Sequence, residues 1–308
     1  MKLRILLTGK NGQVGAELAA FLPGLGDVRA FGRQELDLLN PALVRRAIRD
    51  VRPDIIVNAA AYTAVDQAEK EQTQARALNV DAPALMAEEA KRIGAVLVHY
   101  STDYVFDGSR DRPYVETDQP SPLNVYGKTK LAGEEAIRAV GVPHLILRTA
   151  WVYGTRGRNF LLTILRLATE REELRVVHDQ FGAPTWCREI AKATMALLVQ
   201  LTQQGQDDIS KFGGTYHLTA AGKTSWFEFA QAILEQASRT PRNAAWFAAA
   251  TSGRPLVARR VTPIATAEYE TPARRPAYSL LSNLRLKQVF GLELPDWRAQ
   301  LYSAFTDS

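Results

Sequence analysis

LRILLTGKNGQVG, residues 3–15, opens on an apolar run and passes directly into three glycines spaced GxxGxxG. Spaced glycines are informative only between a strand and a helix. Leu3 to Leu7 has the composition of a buried strand, and Gln13 to Leu22 has helical periodicity, so the context is right. Gly9 is expected to take the tight turn. Gly12 would let the backbone approach a pyrophosphate at the positive end of the helix, and Gly15 would let helix and strand pack closely.

Further along, short apolar runs at Asp27 to Phe31, Ile55 to Asn58, Val96 to Tyr100 and Leu145 to Arg148 alternate with helical stretches. Those stretches are Pro41 to Val51, Val65 to Glu71, Asn79 to Ile93 and Tyr126 to Ala139. Alternation of this kind reads as βαβ units, and near-continuous apolar strands read as a sheet covered on both faces. The fold expected is α/β: a doubly wound parallel sheet of Rossmann type with a smaller C-terminal substrate-binding lobe. Residues 1–150, with about 186–202, are assigned to the dinucleotide-binding unit, and about 151–185 and 218–308 to the lobe. Helices are expected at Phe160 to Ala168, Arg188 to Leu201 and Ser225 to Gln236, and surface loops at Gln203 to Gly214 and Pro241 to Arg254.

Composition excludes several classes. In 308 residues there is one cysteine, Cys187, so neither an intramolecular disulfide nor a cysteine metal cluster is available. The formal charge of +5 comes from dispersed Lys and Arg, which argues against a nucleic-acid partner and suits small phosphorylated ligands. Apolar runs are too short for a membrane span, and LRILL is too short for a signal-peptide core, so a cytoplasmic location is expected. His99, His144, His178 and His217 lack metal-ligand spacing and are assigned to packing or hydrogen bonding.

At the end of the second strand, Arg33 favours a 2′-phosphate, and hence NADP(H), over the free ribose hydroxyl of NAD; the nearby Glu35 and Asp37 pull the other way. NAAAY, Asn58 to Tyr62, ends a strand in small side chains that admit a dinucleotide. STDYVF, residues 101–106, places Ser101, Thr102 and Asp103 at the carboxyl edge of the sheet, where doubly wound folds bind ligands. After the polar loop ETDQPSPLN comes YGKTK, in which Tyr126 and Lys130 share one helix face. A positive charge about 4 Å from a phenol is worth on the order of 4 kcal/mol at an effective dielectric of about 20. Lys130 is therefore expected to pull Tyr126 below the usual value of about 10. Tyr126 would give its proton to a ketone oxygen while hydride reaches the carbon, and Lys130 would bond the nicotinamide ribose.

TGKNGQVG is followed in order by RPDIIVNAAAYTAVDQAE, HYSTDYVFDG, PLNVYGKTKLAGE, RTAWVYG, NF, VVHDQFGAPT, TYHLTAAGKTSW and TPARRP. In this the chain resembles, over nearly its whole length, the dTDP-4-dehydrorhamnose reductases of the extended short-chain dehydrogenase/reductase family. The resemblance implies reduction of dTDP-4-dehydro-L-rhamnose to dTDP-L-rhamnose with NADPH, or alternatively NADH, by a homodimer. It implies catalytic roles for Thr102, Tyr126 and Lys130, and places Val65, Asp103 and Trp151 near the sugar nucleotide. Gly12, Gln13, Val14, Arg33, Asp37, Leu38, Ala61, Tyr62, Thr63 and Tyr100 match cofactor-contacting positions. Arg274 and Arg275 suit the nucleotide diphosphate, and Asn79 resembles the asparagine that supports a proton relay. Glu17 and Glu189 match positions where some members hold Mg2+, though LYSAFTDS offers no third glutamate. Two rival functions stay open at this level: a ketoreductase for another nucleotide sugar, and a regulatory subunit of the methionine adenosyltransferase type.

Overall fold

The structure is a computed structural model describing residues 2–203, 212–239 and 244–306. Among these residues six strands form one parallel sheet: β1 (Leu3–Thr8), β2 (Gly26–Phe31), β3 (Ile55–Asn58), β4 (Val96–Thr102), β5 (His144–Thr149) and β6 (Gly214–His217). Their order is β2-β1-β3-β4-β5-β6, all pairs parallel, so the direction of winding reverses between β1 and β3. In doubly wound sheets the ligand crevice lies beyond the carboxyl ends of the strands at that reversal. Alternate residues serve the two faces, as the pleat requires. Ile5 and Leu7 join Leu18, Val57, Val98, Leu147 and Leu197 on one side, while Leu6 joins Ile48, Ile56, Met86, Leu97 and Ile137 on the other.

Five of the expected helices keep their bounds to within two residues: Gln13–Phe21, Pro41–Val51, Val125–Val140, Phe160–Ala168 and Cys187–Gln203. The helix expected from Val65 to Glu71 is broken into Val65–Ala68 and Gln72–Arg76. The one expected from Asn79 begins instead as a π-helical turn, Ala77–Asp81, leading into Ala82–Ile93. Pro83 has no N–H to give the Asn79 carbonyl four residues back, and the wider turn absorbs that loss. Gly133 exploits the exposed carbonyl: a Cβ there would lie 2.0 Å from the Asn79 oxygen.

Past β5 a third apolar cluster forms around Leu161, Leu165, Trp186, Phe229, Ile233, Trp297 and Leu301. Helix Cys187–Gln203 carries Ile190, Leu197 and Leu198 back onto the sheet core. Two expectations change here. The sheet gains β6, whose Gly-Thr-Tyr-His lacks the apolar run that reveals the equally short β3, and Pro241 to Arg254 contains a helix, Ala245–Thr251. That helix is alanine-rich, with Phe247 buried and Trp246 set against Phe305. Most of the expected loop from Gln203 to Gly214, and the start of the one from Pro241, lie outside the described residues. No helix among the described residues is long and apolar enough to cross a membrane.

Gly133 separates two effects of opposite sign. Alanine in a helix interior ordinarily adds about 0.5–1 kcal/mol over glycine, whereas overpacking costs about 1–3 kcal/mol. With a backbone carbonyl 2.0 Å from the new methyl group, Gly133→Ala should lower the urea midpoint of unfolding. An unchanged or raised midpoint would show that the two helices can separate at no cost.

Candidate active site

The site begins where the backbone leaves β1. Gly9 has φ +78°, and a Cβ on it would sit 2.7–2.8 Å from the Ala59–Ala60 backbone at the end of β3. Gly15 is equally constrained, since its Cβ would fall 2.0 Å from the Gly9 carbonyl. Gly12 differs. Its φ is an ordinary −78°, and a Cβ would meet only the Gly9 oxygen, at 3.3 Å. The protein's own packing thus demands Gly9 and Gly15 but not Gly12, whose bare backbone faces a cavity of about 1200 Å³ at the N-terminus of helix Gln13–Phe21. An anionic pyrophosphate fits that cradle, so the residues present suit a dinucleotide.

Gln13, Val14, Arg33, Asp37, Leu38, Ala61, Thr63 and Tyr100 line the same cavity. Of the two acidic residues set against Arg33, Asp37 lines the cavity and Glu35 is paired. Glu35 accepts from the Lys10 ammonium and, at 2.6 Å, from the Gly32 N–H, and these hydrogen bonds hold its carboxyl below the usual range. Arg33 is exposed beside it. Tyr62 does not line the cavity: its hydroxyl donates to Glu71 at 2.8 Å, and its backbone is held by Asn79. Asn79 also donates to Thr129 and so is occupied as a brace between loop and helix.

Thr102 ends β4, and the Val125–Val140 helix delivers Tyr126 and Lys130 beside it. Asn124 caps that helix by accepting the Gly127 N–H at 2.8 Å, a contribution of about 0.5–2 kcal/mol. Its amide also donates to the Arg274 carbonyl, tying the Val125–Val140 helix to the segment around Arg274. Gly127 lets the first turn sit on Tyr104, whose carbonyl would lie 2.2 Å from a Cβ.

The electrostatics of the phenol differ from the expectation. Burial pushes Tyr126 up to about 12; the Thr102 hydroxyl, hydrogen-bonded to it, opposes the rise, and Asp103 adds to it. Lys130 does not act on it. Its ammonium is buried, and Nζ is committed to the Tyr100 carbonyl at 2.5 Å and to His99 Nε2 at 3.1 Å. Burial pulls Lys130 down to about 8, against the attraction of Glu134. Asp103 is raised to about 7 by burial, with the Ser279 and Thr102 hydroxyls opposing.

Val65 and Trp151 line the same cavity. Trp151 has φ +47°, rare for a bulky residue. Its indole stacks on Trp226 with centroids 3.5 Å apart and lies over Gly182, where a Cβ would meet the ring at 2.5–2.8 Å. Arg275 lines the cavity but is gripped by both Asp66 oxygens, at 2.8 and 3.1 Å. Arg274 faces a separate pocket of about 620 Å³ with Asp179, Gln180 and Tyr269.

Glu17 and Glu189 stand away from the cavity. Glu17 is buried against Arg188 at 3.1 Å and Arg156 at 3.8 Å, and Glu189 pairs with Lys192 at 2.7 Å. Carboxylates neutralised by cations are a poor donor set for Mg2+, and no acidic or histidine cluster able to hold a metal occurs among the described residues. The residues that sequence reasoning passed over are Trp226, Phe160, Asn159, Arg158 and Gln180, all on the cavity wall. Asn159 offered a signal as an N-cap: it accepts the Leu162 N–H and donates to Gln13.

The glycine analysis makes a separable prediction. Gly15→Ala should lose both fold stability and cofactor affinity, whereas Gly12→Ala should unfold near the wild-type midpoint and lose cofactor affinity alone. Equal cofactor affinity in Gly12→Ala and wild type, by fluorescence titration, would contradict the cradle.

The model for the RmlD substrate binding domain matches residues 2–308. A dTDP-4-dehydrorhamnose reductase of Burkholderia thailandensis is 50% identical over 297 residues, 96% of each chain. One of Escherichia coli K12 is 46% identical, covering 96% of this chain and 95% of its own. The crystal structure of a dTDP-4-dehydrorhamnose reductase from Bacillus anthracis in complex with NADP superposes with a TM-score of 0.85 at 36% identity, over the whole of both chains. With its glycine cradle, reversed sheet and Thr102, Tyr126 and Lys130 beside one cavity, the chain belongs to the dTDP-4-dehydrorhamnose reductase family.

Proposed function

We propose that this chain reduces the 4-keto group of dTDP-4-dehydro-L-rhamnose to give dTDP-L-rhamnose, with NADPH preferred over NADH. The observation that carries the reading is the single cavity running from Gly12 past Thr102, Tyr126 and Lys130 to Trp151 and Arg275. One wall suits a dinucleotide and the other a sugar nucleotide. Residues 1–150 with about 186–202 serve the first, and about 151–185 and 218–308 the second. A homodimer and a cytoplasmic location belong to the same reading and rest on the resemblance; no step is assigned to Mg2+.

The bound nicotinamide supplies hydride. Tyr126 supplies the proton: raised to about 12 by burial, it is protonated at neutral pH and stands as the donor. Thr102 holds the phenol by hydrogen bond while its own hydroxyl proton goes to Asp103 at 3.0 Å, so its part is to fix the donor beside the ketone. Lys130, with Nζ on the Tyr100 carbonyl, carries a positive charge below about pH 8 in the floor of the site. Lys10, held close by Glu35, and the exposed Arg33 place positive charge where an adenosine 2′-phosphate would lie.

Purified protein should oxidise NADPH, followed by absorbance, when given the ketosugar, and should yield a rhamnosyl product. Absence of oxidation would overturn the reading. Tyr126→Phe should cost about a hundredfold or more in kcat at unchanged cofactor affinity; near-normal turnover would remove Tyr126 as the acid. Arg33→Ala should raise KM for NADPH more than for NADH, and equal changes would contradict the 2′-phosphate assignment.

A further inference from the structure

Beneath the catalytic lysine a fully buried polar chain crosses four elements. The Thr8 hydroxyl donates to Asn58 Oδ1 at 2.7 Å, Asn58 Nδ2 lies 3.1 Å from His99 Nδ1, and His99 Nε2 lies 3.1 Å from Lys130 Nζ. Each of the four is at most 1% exposed. Hydrogen positions in the chain follow by elimination. The Ala60 N–H, which can only donate, points at Asn58 Oδ1 from 3.2 Å, so that atom is the carbonyl oxygen and the amide NH2 faces His99. An amide NH2 can only donate, so Nδ1 must accept. Burial holds His99 neutral, leaving its one ring proton on Nε2, aimed at Nζ. An N–H there has an acceptor only if Lys130 is the free amine; against an ammonium two donors would confront each other.

We propose that His99 is a positioning residue for Lys130: fixed by Asn58 in the Nε2–H tautomer, it donates to Nζ and favours the amine over the ammonium. The inference deepens the reductase reading and rests on it. It gives the low-lying Lys130 a geometric cause beyond burial, and it leaves the ammonium ready to release its proton. Glu134 opposes this from the same helix, but its carboxylate is taken by Arg148 at 2.7 Å and Arg138 at 3.2 Å. Tyr126, Asp103 and Tyr104 face the site from the other side, with Arg275 beyond them, and the variants below leave all of these in place.

Two substitutions should have the same effect by different routes. His99→Gln can turn its amide oxygen to Nζ, and Asn58→Asp replaces the NH2 by an acceptor that draws the ring proton to Nδ1, turning Nε2 into an acceptor. Both favour the ammonium. The alkaline fall of kcat/KM, expected in wild type near pH 8, should move up by about one pH unit or more in each. A limb that stays put in both, or its absence in wild type, would overturn the proposal. A purely structural His99 would lower activity at every pH without moving the limb. Nitrogen-15 NMR of the wild-type histidines provides an arm needing neither substrate nor variant. His99 should show a protonated Nε2 and an unprotonated Nδ1; the opposite tautomer or a charged ring would refute the proposal. Missing turnover with a correct tautomer would count against the reductase reading instead.

Discussion

Backbone packed directly on backbone at the reversal of the sheet is the constraint on which the rest depends. Gly9 touches the Ala59–Ala60 main chain, and Gly15 in turn sits on the Gly9 carbonyl. These contacts bring the ends of β1 and β3 together and aim the Gln13–Phe21 helix at the gap between their divergent crossovers. With the helix end so placed, the unpaired N–H groups of its first turn face the cavity. Side chains at either glycine would force strand, helix and loop apart, and the cradle would be lost with the packing.

The same crowding gives the chemistry its character. β4 passes next to β3 and ends at Thr102, so the groups that reach the cavity floor do so from the dry centre of the sheet. Burial, rather than a neighbouring charge, then dominates the titration of Tyr126, Asp103 and Lys130. A phenol kept protonated and a lysine kept close to losing its proton suit delivery of a proton to substrate. The lobe attaches through polar ties of high sequence separation, Asn124 to the Arg274 carbonyl and Arg275 to Asp66, which set the second wall of the cavity relative to the first.

Much of this was legible in the chain because strand and helix periodicities and the glycine spacing are local signals. The first five strands and the glycine loop fall where the pattern put them, and Thr102 and Tyr126 meet as expected. What escaped depends on three-dimensional context. β6, Gly-Thr-Tyr-His, lacks the apolar run that marks the equally short β3, the Ala245–Thr251 helix is defined by packing of Phe247, and the π turn follows from Pro83 lacking an N–H for the Asn79 carbonyl. The spacing of Tyr126 and Lys130 gave proximity on one helix but not the partners of Nζ, and those partners on β4 remove the lysine from the phenol. Tyr62 and Arg274 carry family-matching positions, yet the hydroxyl of one is engaged by Glu71 and the other faces a neighbouring pocket.

The most direct test follows the hydride itself. With NADPH deuterated at both positions of its reactive carbon, turnover of dTDP-4-dehydro-L-rhamnose should place one deuterium on the former ketone carbon of dTDP-L-rhamnose, read by mass and proton NMR. A product free of deuterium, or deuterium at any other carbon, would contradict the account of this cavity as the place where hydride and the Tyr126 proton are delivered to one carbonyl.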